Sequence, residues 1–149
     1  SIDIDVKTGE FVCIVGPSGA GNSTKLVNQI IVAGSMAVMI EGFMLAKKSG
    51  IDPKVAYEAL RGGVAGSFVM ETRGKKILDK DTTPSFTLDL HLKDLTNAVS
   101  TAHEYGAPLP LSSQVYDMFQ LLKAKGMGKL DHSVLSKYYE LLTGEVIVD

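Results

Sequence analysis

The chain has little cysteine, no tryptophan and no excess of either charge. Cys13 is the single cysteine among 149 residues, which excludes an internal disulfide framework and favours a reducing compartment or indifference to redox state. Fifteen Lys and Arg against seventeen Asp and Glu give a net charge of −2. That balance removes the electrostatic footing for non-specific nucleic-acid binding, and no nucleic-acid partner is expected. The longest unbroken apolar run, residues 30–40, contains Gly34 and Ser35 and falls well short of the ~20 residues of a spanning helix, so no membrane segment is expected. Ser1-Ile2-Asp3-Ile4-Asp5 lacks the basic start and apolar core of a secretory signal, which makes the cytoplasm the expected location. His91, His103 and His132 have no second His, Cys or carboxylate at a ligand spacing. No metal site is expected, and capping, packing or exposure accounts for them.

Forty-five per cent of the residues are apolar and 21% charged, the balance of a globular domain with enough apolar surface to offset the entropy of ordering. The pattern changes near Gly21. Before it, Ile2, Ile4 and Val6 alternate with Asp3, Asp5 and Lys7, and Phe11 to Val15 is a short apolar run ended by Gly16-Pro17. This reads as a β-hairpin, so residues 1–21 are expected to form a hairpin and glycine-rich loop and residues 22–149 a helical domain. Asn22 or Ser23 is expected to cap a long helix to about Ser49, apolar nearly all round and hence buried in a core or an interface. Asp52-Pro53 opens a helix to about Arg61, and others are expected over about 67–78, 87–105, 110–125 and 131–143. In the fourth of these six helices, Leu88, Leu92, Leu95, Val99 and Ala102 recur at helical spacing. Val146-Ile147-Val148-Asp149 reads as a closing strand.

Gly16-Pro17-Ser18-Gly19-Ala20-Gly21-Asn22-Ser23-Thr24-Lys25 follows the expected strand and opens the long helix, a setting that suits an anion. As a phosphate loop, Gly16, Gly19, Gly21 and Ser23 are its candidate residues, but Asn22 stands where G-x-x-x-x-G-K-[ST] needs lysine. Residues 9–24 resemble the first hairpin and Walker A loop of ABC-transporter ATPases, although no LSGGQ-like segment follows. The same stretch also reads G-x-x-G-x-G-x-x-x-K-x-x-N, with Lys25 and Asn28 in place. In this form it resembles the β-hydroxyacid dehydrogenase family. Arg61-Gly62-Gly63-Val64-Ala65-Gly66-Ser67, the run from Phe86 to Leu95 and Asp131-His132-Ser133 resemble further motifs of that family in order. The likeness is strongest to its 2-hydroxy-3-oxopropionate (tartronate semialdehyde) reductase branch, with 3-hydroxyisobutyrate dehydrogenase next.

The resemblance implies a mainly α fold, the six-helix bundle of the 6-phosphogluconate-dehydrogenase C-terminal type, here with a short N-terminal hairpin. It implies Lys25 as the catalytic lysine that protonates the substrate carbonyl, and Asn28 as a substrate ligand. Gln29, four residues after Lys25, is a further candidate for the substrate. It implies Lys93 and Phe86 beside an NAD or NADP cofactor. Lys25 at the helix start is expected to feel the positive dipole end, lowering its pKa toward that of a general acid. The residues alone equally allow a solvated Lys25, a surface Lys93 paired with Asp89, and a core Phe86. The family's Rossmann domain has no counterpart in residues 1–15. The expected function is therefore the lysine-bearing half of a dehydrogenase, inactive alone and binding no cofactor tightly, with a Rossmann domain implied as partner. Two other readings are an engineered or chimeric oligomerisation module, as a homodimer with or without exchange of hairpins, and a degenerate P-loop that binds nucleotide or phosphate.

Overall fold

The computed structural model describes residues 20–149, with side chains from Ser23 onward. The expected hairpin, Cys13, Gly16 and Gly19 lie outside the described residues. Six α-helices follow: α1 (Ala20–Lys48), α2 (Pro53–Leu60), α3 (Lys75–Leu78), α4 (Leu88–Tyr105), α5 (Pro110–Ala124) and α6 (Ser136–Thr143). A π-helical turn, Met70–Gly74, leads into α3, and a 3-10 turn, His132–Leu135, into α6.

The caps are the ones the side chains dictate. Asp52 accepts a hydrogen bond from the Lys54 N–H at 2.9 Å, with Pro53 at the first helical position, and Thr87 caps α4 through the Leu90 N–H. Gly106 and Gly144 end α4 and α6 with φ of 66° and 71°, a left-handed conformation that disfavours side chains with a Cβ. The start of α1 departs from expectation. It begins at Ala20, so Gly21, Asn22 and Ser23 lie within the helix rather than in a cap or a loop.

α1 is the axis of the bundle and packs against α2, α4, α5, α6 and the π-turn. Phe43, Phe119, Met36, Ile40, Leu88, Leu95, Leu122 and Leu135 are fully buried at its centre, and each such side chain stabilises the fold by about 1.5–3 kcal/mol. Within Ser23–Lys48 an 18-residue window of mean hydropathy 1.7 is long and apolar enough to cross a membrane by length and composition, and half of it is buried inside the bundle. The window reaches past the apolar run of residues 30–40 because it tolerates the polar residues Gln29 and Glu41 that bound that run.

The closing strand does not form. Residues 146–149 find no strand to pair with among the described residues. Instead Ile147 plugs into the core and its N–H donates to Glu140 Oε1 at 3.1 Å. The Lys47 ammonium holds the Asp149 carboxylate at 2.7 Å, and Lys48 pairs with Glu145.

Candidate functional site

The first turns of α1 pack against the first two turns of α4, bringing Lys25 and Gln29 onto His91 and Asp94. Lys25 Nζ lies 2.8 Å from Asp94 Oδ1. Its side chain is 48% exposed, whereas Asp94 is almost wholly buried. The other carboxylate oxygen, Oδ2, accepts from Gln29 Nε2 at 3.0 Å, and Gln29 Oε1 accepts from Asn28 Nδ2 at 2.9 Å. Gln29, read as facing substrate, is therefore buried with both ends of its amide engaged, and it braces Asp94. Asn28 is exposed on the same turn. Lys25 stands five residues into the helix, beyond the first turn to which the dipole effect is confined. The charge nearest its ammonium is the Asp94 carboxylate rather than the helix end.

Beneath this cluster lies a pair of histidines. His91 Nε2 is 3.1 Å from the Gln29 carbonyl oxygen, and His91 Nδ1 is 2.7 Å from His132 Nδ1. A carbonyl only accepts, so His91 carries its proton on Nε2. Its Nδ1 then accepts from a protonated Nδ1 of His132. His132 Nε2 is left as a buried acceptor with no partner among the described residues. Burial drives both rings toward the neutral form, His91 down to about 4 and His132 down to about 3. Phe86 is half-buried with its ring edge-on to both, at 5.8 and 5.5 Å.

Asp131, fully buried, anchors the loop that carries Phe86. Its Oδ2 accepts from the Ser85 N–H and hydroxyl, both at 2.9 Å, and its Oδ1 accepts from the Ser133 N–H at 3.1 Å. Arg73, from the π-turn, reaches the same carboxylate at 3.5 Å and also bonds the Ser85 hydroxyl. Burial pushes the Asp131 carboxyl up, but these hydrogen bonds win and hold it at about 2.

Lys93 is exposed on α4, in a groove with Asn97, Gln120 and Lys123. It is not paired with Asp89, whose carboxylate instead faces Lys123 at 3.2 Å and Lys129 at 3.3 Å. Gly21 and Ser23, candidates for the phosphate loop, lie on the first turn of α1, and Ser23 is exposed. No group of three or more His, Cys, Asp or Glu side chains that could hold a metal occurs among the described residues.

The family described as "NAD-binding of NADP-dependent 3-hydroxyisobutyrate dehydrogenase" matches residues 19–139. The chain belongs to the β-hydroxyacid dehydrogenase family. Over 134 residues it is 35% identical to 2-hydroxy-3-oxopropionate reductase of Escherichia coli K12, covering 90% of this chain and 46% of that protein. It is 32% identical over 137 residues to 2-(hydroxymethyl)glutarate dehydrogenase of Eubacterium barkeri, covering 91% and 46%. The crystal structure of 3-hydroxyisobutyrate dehydrogenase from Salmonella typhimurium superposes with a TM-score of 0.75 at 33% identity, over 80% of this chain and 42% of that one. The chain thus spans about half the length of the curated β-hydroxyacid dehydrogenases it matches. Asp94, His91 and His132 lie around and beneath Lys25, while Asp131, expected as the cap that starts the last helix, caps the 3-10 turn through the Ser133 N–H. The sequence motifs give Asp94 no role of its own.

Proposed function

We propose that this chain supplies the proton-donating half of an NAD(P)-dependent hydroxyacid dehydrogenase site, with Lys25 as general acid. The observation that carries the reading is the Lys25 ammonium, half-exposed yet held at 2.8 Å by a buried carboxylate that Gln29 locks from behind. A general acid must be both reachable and fixed. In the reductive direction, Lys25 gives its proton to the carbonyl oxygen of a small hydroxyacid precursor as the carbon is reduced. Asn28, exposed one turn along, orients the substrate, and Asp94 is a positioning residue acting through Lys25.

The nicotinamide coenzyme, when bound, supplies the hydride. By the family resemblance, Phe86, a half-buried ring, and Lys93, an exposed ammonium, would lie beside it. Negligible coenzyme affinity and turnover of this chain alone remain the expectation that the resemblance to one half of the family's site carries. The substrate class is that of 2-hydroxy-3-oxopropionate, by likeness to the reductase.

The test combines NADPH oxidation with 2-hydroxy-3-oxopropionate and an NMR titration with glycerate, the corresponding product. Expected are no turnover and a glycerate-dependent shift of the Lys25 and Asn28 signals, lost in Lys25→Ala. Turnover abolished by Lys25→Ala would keep the lysine's role and overturn the incompleteness of the site. Turnover surviving in Lys25→Ala, or no shift with glycerate well into the millimolar range, would overturn the reading of Lys25.

A further inference from the structure

The reading of Lys25 leaves two buried polar rings without a task. His91 and His132 are 0% and 2% exposed, and an apolar side chain of similar volume would fill either place without the cost of burying polar nitrogens. His91 stands one turn before Asp94 on α4, so both side chains meet α1. They meet it at the same residue. His91 Nε2 donates to the Gln29 carbonyl oxygen at 3.1 Å, and Asp94 Oδ2 accepts from the Gln29 side-chain amide at 3.0 Å. The Gln29 carbonyl lies well inside α1, where the helix itself supplies an N–H partner. The bond from His91 is therefore a second one, which backbone pairing does not require.

A helix seated only by apolar contacts keeps some freedom to roll about its axis. Two polar grips on one residue, one on its backbone and one on its side chain, remove that freedom. Lys25 lies four residues before Gln29, on the same face of α1. Side-chain tips stand roughly 5–6 Å from a helix axis, so a roll of about 10° carries them by about 1 Å. A misplacement of that size at a reacting group can cost about a hundredfold in rate. We propose that His91 is a positioning residue for Lys25, holding α1 by the Gln29 carbonyl in the rotation that sets the Lys25 ammonium on Asp94, with His132 locking the ring that does so.

The lock is built from both sides. His132 Nδ1–H donates to His91 Nδ1 at 2.7 Å. The rings of Phe119 and Phe86 stand 5.2 and 5.8 Å from the His91 ring. A half-turn of that ring would put carbon where each bonded nitrogen stands and break both bonds. His132 is itself tied down, its backbone N–H donating to the Phe86 carbonyl at 2.9 Å. Contacts thus run from His132 to His91, Gln29, Asp94 and Lys25 in turn. The role of His91 rests on Lys25 as the general acid, whereas the contacts that hold α1 do not.

The test compares the chain with His91→Leu, His91→Gln and Ile147→Ala by NMR. The Asp94 carboxyl carbon-13 shift reports the ion pair, and the Asn28 shift with glycerate reports the site. His91→Gln keeps an amide N–H for the Gln29 carbonyl and an oxygen for the His132 N–H, and His91→Leu keeps neither. In His91→Leu the Asp94 signal should move toward its position in Lys25→Ala, and glycerate should bind about tenfold or more weakly, with the far-UV spectrum unchanged. His91→Gln should recover most of both. Ile147→Ala loosens the core beside Lys47, at the other end of α1, and should move neither signal. No loss in His91→Leu, equal loss in His91→Leu and His91→Gln, or the same loss in Ile147→Ala would overturn the proposal by leaving His91 a packing role alone. His91→Met takes the place of His91→Leu if the latter does not fold. A chain with no glycerate response at all would overturn the reading of Lys25 instead, and the Asp94 signal alone then decides whether His91 holds the pair.

Discussion

His91 Nδ1 and His132 Nδ1 face each other at 2.7 Å in the core, and only one of the two nitrogens carries a proton. The Gln29 carbonyl decides which, by claiming the proton on His91 Nε2. The first turns of α1, which carry Lys25, are thereby tied to α4 and to the loop before α6. Nitrogen-15 NMR should show the Nε2–H tautomer for His91 and the Nδ1–H tautomer for His132, both neutral at pH 6.

The pair makes the fold acid-sensitive. Both rings hold their folded pKa below the unfolded value of about 6.5, so the unfolded chain takes up protons first as pH falls. Stability is full above about pH 6.5 and declines toward pH 4 for His91 and pH 3 for His132. The slope is about 1.4 kcal/mol per pH unit for each histidine still neutral in the fold. Asp131, held at about 2, adds to the loss below about pH 3.8. Urea midpoints at pH 7, 5.5 and 4.5 should fall in that order. In His91→Phe the slope between pH 6.5 and 4.5 should be reduced, and stability at pH 7 should drop by about 1–3 kcal/mol for each buried partner left unpaired.

Asp94 is braced by a buried amide, and the two sides of that brace differ in strength. Asp94→Ala leaves the Gln29 amide without its acceptor and should destabilise the fold by about 1–3 kcal/mol in chemical denaturation. Lys25→Ala removes only the half-exposed partner of the ion pair. It should change stability by about 1 kcal/mol or less, while removing the glycerate response.

The carboxyl-terminal tail is held by packing rather than charge. Ile147→Ala should cost about 2–4 kcal/mol, because the side chain is enclosed in the core. Asp149→Ala removes an ion pair whose carboxylate is almost fully in water, and its denaturation midpoint should stay where it is.

Gly66 is required by space rather than by an unusual φ. A Cβ there would stand 2.1 Å from the Arg61 carbonyl oxygen, so Gly66→Ala must open the turn after α2. Hydrogen exchange should accelerate over residues 61–70 in that variant and stay unchanged over α4 and α5.

Local chemistry explains what was legible in the sequence. Asp52-Pro53, Thr87, Gly106 and Gly144 act on their own neighbours, and the helices they bound stand within a few residues of where their spacing puts them. The Leu88–Leu92–Leu95 stripe is buried as its period requires. Lys25 and Asn28 were legible as members of a motif. Asp94 was not, because its meaning lies in residues 65 and 69 positions away in the chain. His91 and His132 likewise are 41 residues apart, and no spacing rule joins them. The closing strand was misread because Val146, Ile147 and Val148 have strand propensity but find no edge to pair with, and burying Ile147 decides their course.

The π-turn at Met70–Gly74 amounts to an α-helix carrying one surplus residue. It lets Gly74 close on Met39, Tyr57 and Phe43 while Arg73 still reaches Asp131. Removing that surplus, for instance by deleting Thr72, would rewind the turn to α and swing the preceding segment by about 100° around the helix axis. Phe68 and Val64, both on the surface, would sweep to a new bearing while α4, α5 and the Lys25 cluster stayed in place. A single-codon change at one half-buried residue can thus re-aim an apolar loop without redesigning the core beneath it.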